Sequence, residues 1–133
     1  MLNREDIESF LIRAEADFEE IGDGLWMVSQ PGEAAAASRI VVSYQPPVVV
    51  FRADIREVPI DDEDQLELYR RLLHLNATDL IHGAYGLEDG EVILSDTLEL
   101  ENLDFSEFRA SLESLSLALT SHWGQLTHDI SNE

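Results

Sequence analysis

The chain has no cysteine and no lysine, and its eight basic residues, all arginine, face 28 acidic ones across 133 positions. The lack of cysteine excludes disulfides, thiolate zinc sites, iron–sulfur clusters and thiol nucleophiles in one step. The lack of lysine excludes Schiff-base chemistry and the lysine clamp of a phosphate-binding loop. The shortage of cations leaves a formal charge of -20. Such a surface repels phosphate backbones and anionic lipid, so neither nucleic acid nor membrane is an expected partner. The acids are scattered without duplex-like spacing, which disfavours a mimic of DNA. The charge favours solubility and speeds encounter with basic molecules. Long apolar runs are missing too. The segment Met1-Leu2-Asn3-Arg4-Glu5-Asp6 meets acids at once, with no signal-peptide core behind it, so a cytosolic location is the expectation.

Hydrophobic residues make up 44% of the sequence, enough to fill one core without metal or disulfides. Residues 1–133 are read as a single domain with a frayed tail over 124–133. Asn3 is a good N-cap for a first helix carrying Ile7, Phe10, Leu11 and Ala14 at helical spacing and ending near Asp17. Leu25-Trp26-Met27-Val28 reads as a strand after the Gly22-Asp23-Gly24 turn. Ala34-Ala35-Ala36-Ala37 reads as part of a surface loop. Arg39–Tyr44 gives a second strand, Gln45-Pro46-Pro47 a turn, and Val48-Val49-Val50-Phe51 a third strand that alternates onward to Val58.

Asp61 opens a second helix running to about Asn76. Its apolar residues fall in two adjoining sets, Leu68, Leu72 and Leu75 beside Leu66, Tyr69 and Leu73. Together they cover about half the circumference, wider than the stripe of about 100° that faces one core. Such a helix is expected to be touched on two sides. Glu88-Asp89-Gly90 marks a hairpin turn between two further strands. Asp96 points inward by parity, so an edge position or a bulge is expected there. Asp104 and Glu107 form a capping box for a third helix with the stripe Phe105, Phe108, Leu112, Leu115, Leu119 and Trp123. The resulting order is α-β-β-β-α-β-β-α. It is an α+β chain with a five-stranded, mainly antiparallel sheet packed with helices.

Chemistry is hard to find. There is no Gly-x-Ser-x-Gly elbow, no His-Glu-x-x-His pair and no Walker spacing. The histidines at 74, 82, 122 and 128 are scattered, and Asp61-Asp62-Glu63-Asp64 fits a helix start better than a calcium loop. No catalytic residue, cofactor or metal is expected. Gly83-Ala84-Tyr85-Gly86 suits a strand that bends or approaches another backbone closely.

The run Leu72-Leu73-x-x-Asn76, then Gly83-Ala84-Tyr85-Gly86-Leu87, Asp89-Gly90-x-Val92-x-Leu94 and Leu98-x-Leu100-x-x-Leu103 resembles the YbjN-like domain. More distantly it is similar to the class I type III secretion chaperones of the Tir-chaperone type. The resemblance implies the same order of elements, no catalytic residues and a homodimer. It also implies apolar surface patches that hold an extended segment of a protein partner, or a regulatory role of the YbjN kind. The first reading is therefore a non-catalytic, homodimeric protein-binding domain, chaperone-like or a regulatory adaptor. The dimer contacts are assigned to Leu68, Leu72 and Leu75. The partner contact is assigned to Trp26, which alternates out of phase with Leu25 and Met27 and either faces outward or lies under the first helix. Two other readings stay open: a small-ligand-binding domain or enzyme using carboxylates in a cleft, and a structural subunit of a larger assembly.

Overall fold

The computed structural model describes residues 1–30 and 39–128. The alanine run lies outside them. Helix α1 spans Arg4–Arg13, opened by a capping box between Asn3 and Asp6. It stops four residues short of the expected Asp17, because Glu15 turns into the left-handed region at φ 57°. The strands are β1 (Phe18–Gly22), β2 (Leu25–Ser29), β3 (Arg39–Gln45), β4 (Val48–Glu57), β5 (Ala84–Glu88) and β6 (Glu91–Glu99). Helix α2 covers Asp62–Thr78 and α3 covers Phe105–Thr127.

The sheet has six strands, not five, in the order β1-β2-β3-β4-β6-β5 with every pairing antiparallel. The extra strand is the Phe-Glu-Glu-Ile-Gly piece before the glycine turn. As an edge strand it needs a ladder on one side only, so its charged residues carry no alternating apolar signal. The Asp-Gly hairpin forms as read, with φ 50° at Asp89 and 81° at Gly90, the geometry of a type I′ turn. A bulge in β4 between Asp54 and Arg56 shifts the inward parity, which explains why Ile55 and Val58 both reach the core.

All three helices feed one core on one face of the sheet. Ile7 and Leu11 of α1, Leu68, Leu72 and Leu75 of α2, and Phe108, Leu115 and Leu119 of α3 meet the inward residues of β2 to β6 there. Phe10, Phe51, Phe105 and Phe108 form a tilted aromatic chain through its centre. Asp96 sits in β6 opposite Phe51, in a regular stretch of that ladder away from the Asp54–Arg56 bulge, and one residue beyond the last β5 pair. Its inward carboxylate is satisfied by the hydroxyl of Ser111, a fully buried residue of α3. A half-buried hydrogen bond thus stands where the bulge was expected, and the edge is real on the β5 side alone.

Of the segment 124–133 expected to be frayed, residues 129–133 lie outside the described ones, and the part before them is ordered into α3. Helix α3 continues to Thr127 and Leu126 is buried. Two arginines hold its end: Arg71 of α2 donates to the Gln125 carbonyl at 2.6 Å, and Arg56 of β4 donates to the carbonyls of Leu126 and His128. Cations at a helix C-terminus satisfy its last carbonyls and suit its dipole. The signal lies far away in sequence, so the polar composition of the segment hides it.

Candidate protein-binding surfaces

Among the described residues, the helices cover one face of the sheet only. The other face, from β2 to β4, carries Leu25, Met27, Val41 and Val50, all partly exposed, with Ser43 and Gln45 at one end and Arg39, Arg52 and Asp54 at the other. These side chains line an open concavity of about 460 Å³. The registers Met27↔Val41, Ser43↔Val50 and Val41↔Arg52 place them on adjacent strands. The sequence already carried the signal. Ile40-Val41-Val42 and Val48-Val49-Val50-Phe51 are apolar at both parities, the pattern of strands buried on both faces. Here the described residues cover only one face. Among the described residues Asp54 is the single carboxylate lining the concavity, and Arg52 pairs it at 3.1 Å. Arg52 also pairs with Glu88, and that contact first, then Asp54, raises the arginine's affinity for its proton. No second acid among the described residues stands there to share a proton, and the described lining suits apolar contact better than acid–base work.

Helix α2 gives the second surface. Leu68, Leu72 and Leu75 are 0 to 5% exposed and belong to the chain's own core. This corrects their assignment to a dimer contact. The two sides of the helix are exchanged: the adjoining stripe looks outward, with Leu66 52% and Leu73 68% exposed and Tyr69 half-buried between them. The helix is still apolar on two sides, as its width required.

Trp26 is also corrected. Its side chain is 1% exposed, and its indole Nε1–H donates to Glu8 Oε1 of α1 at 3.2 Å. It lies under the first helix, the second of the two placements considered, and is not available as an anchor. Its inward parity leaves Leu25 and Met27 facing the open side of the sheet.

Of the histidines, His122 stands at a meeting of three elements. Its Nδ1 is 2.7 Å from the Tyr85 hydroxyl, and its Nε2 is 3.2 Å from the Asp79 carboxylate. A carboxylate only accepts, so Nε2 carries the proton and Nδ1 receives the phenol's. Burial, followed by Asp79, pushes the Tyr85 phenol above its ordinary value. The Thr78 hydroxyl first, and His122 second, hold Asp79 below its own. These contacts link β5 and the C-terminal end of α2 to α3. Among the described residues no group of three or more His, Asp or Glu is placed to hold a metal ion. No helix among them is long and apolar enough to cross a membrane.

Solved structures share this architecture. A chain of the heterodimeric ExoU–SpcU complex from the type III secretion system of Pseudomonas aeruginosa superposes with a TM-score of 0.68 at 17% identity, over 92% of this chain and 99% of that one. YbjN from E. coli gives 0.64 at 12% identity, covering 93% of each chain. A chain of the ExsC–ExsE complex gives 0.61 at 14% identity, over 95% of this chain and 97% of that one. At such identities these likenesses establish the fold. No curated protein matches the sequence significantly. The family model CesT_Tir_1, that of the type III chaperones, matches residues 2–132, nearly the whole length, and the chain therefore belongs to that family.

Proposed function

We propose that this protein is a non-catalytic, cytoplasmic, chaperone-type module that works as a homodimer and holds a segment of another protein. The observation that carries the reading is the open sheet face, where Leu25, Met27, Val41 and Val50 line a concavity that no described residue of the chain covers. Apolar surface left in water is unfavourable, and a monomeric protein rarely keeps a connected patch of it without a use. The family and the chaperone complexes among the solved neighbours support a protein as the occupant. The outward stripe Leu66, Tyr69 and Leu73 supports a second copy of the chain as the partner on α2.

The test is selection of random 15-residue peptides from a display library on the purified protein. Peptides are expected to enrich on the wild type and to lose binding to a folded Val41→Glu variant. Enrichment of nothing, or of peptides that bind the variant equally, would remove the sheet face as a protein-binding site.

A further inference from the structure

We infer that the occupant of the open sheet face is an amphipathic helix carrying an acidic residue that meets Arg39. The inference rests on the protein-binding reading above and adds the conformation and charge of the partner segment. Three features of the face support it. The first is hydrogen bonding. The backbone groups of β2, β3 and β4 are used up in the ladders β1–β2, β2–β3, β3–β4 and β4–β6. A sheet face therefore offers side chains and no backbone donors, and a segment lying on it gains most if it satisfies its own backbone, as a helix does.

The second is width. The lining comes from three neighbouring strands, which at about 4.8 Å between strands spans about 10 Å. That is the diameter of a helix with its side chains, about 10 Å, and about twice the spacing of a single strand.

The third is charge. Arg39 and Arg52 stand at one end of the concavity in a molecule of formal charge -20. Arg52 is already held by Asp54 and Glu88. Among the described residues no hydrogen bond or ion pair involves the Arg39 side chain, which is exposed two positions along β3 from Val41 and points to the same face. An unpaired guanidinium beside an apolar floor is matched by a carboxylate on the rim of an apolar helical stripe.

The experiment uses the peptides selected on the wild-type protein, with circular dichroism of the complex and affinity measured against Arg39→Glu. The expected peptides carry apolar residues at i, i+3, i+4 and i+7 with an Asp or Glu beside them, and gain helix on binding. Arg39→Glu is expected to weaken them by about tenfold or more, and changing the peptide acid to Lys is expected to restore affinity to that variant alone. Arg39→Gln, a milder change at an exposed position, should lie between the two. Peptides that bind without gaining helix, or that ignore Arg39→Glu while still losing binding to Val41→Glu, would overturn this inference and leave the protein-binding reading intact. Peptides indifferent to both variants would overturn both.

Discussion

Single residues explain much of why the quoted sequence run takes the form it does. Asn76, in the last turn of α2, reaches the outer edge of β5. There its amide oxygen accepts from Tyr85 N–H at 2.8 Å and its amide nitrogen donates to the Tyr85 carbonyl at 3.1 Å. One side chain thus does the work of a missing neighbouring strand and closes part of an edge that would otherwise invite pairing. Asn76→Ala is expected to cost about 1–3 kcal/mol, read as a lowered denaturant midpoint with an unchanged slope. Gly83, at φ 79°, has no room for a side chain. An added Cβ would lie 2.6 Å from Leu115 Cδ2 and 2.8 Å from the Ser95 carbonyl. The close approach read from the glycines therefore falls at Gly83. Tyr85 adds a pH dependence. Its folded value is raised above the ordinary 10.0, so its contribution to stability is whole below that pH and is lost as pH rises past it. Thermal midpoints taken from about pH 9 to about pH 11 should fall more steeply in the wild type than in Tyr85→Phe. Equal slopes would show that the phenol is not held neutral by the fold.

At the scale of elements, the clearest statement concerns the two sides of α2. Leu72 is buried and Leu73 next to it is 68% exposed. Leu72→Asp places a charge in the core, at a cost of several kcal/mol against a total stability of about 5–15 kcal/mol, and is expected to unfold the chain. Leu73→Asp is expected to change monomer stability by less than about 0.5 kcal/mol and, by light scattering, to convert a species of twice the chain mass into one of the chain mass. If Leu73→Asp keeps the doubled mass, the outward stripe is not the dimer contact. Periodicity found the helix and both of its apolar sides. It could not say which side faces inward, because the two sets differ little in composition and the choice is made by the sheet that the helix meets. The end of α3 teaches a similar lesson. Arg56 and Arg71 lie 70 and 54 residues from the carbonyls they cap at Leu126 and Gln125, beyond the reach of any local pattern. The double variant Arg56→Ala/Arg71→Ala should lose amide protection over residues 124–128 while the start of α3 keeps its own.

For the molecule as a whole, the order of elements, the hairpin turn, the helix caps and most of the core were legible in the sequence, because each rests on local spacing. The sixth strand was not, since an edge strand bears no apolar alternation. The binding face was legible only in part. The runs at 40–42 and 48–51 announce strands that are apolar on both faces, but whether the second face is covered is a property of the whole chain, fixed by three helices packing on one side. Parity set Trp26 apart from Leu25 and Met27 but left open whether it faces outward or lies under the first helix; with Trp26 under α1, Leu25, Met27 and Val41 take the open face. The central claim is that this uncovered face is where another protein binds. The most direct measurement is a nuclear magnetic resonance titration of the isotope-labelled protein with a selected peptide. Shifts concentrated at Leu25, Met27, Val41 and Val50, with α1 and the outer side of α3 unmoved, are the predicted result. Shifts confined to α2 or to the free edge of β1, with the sheet face silent, would contradict it.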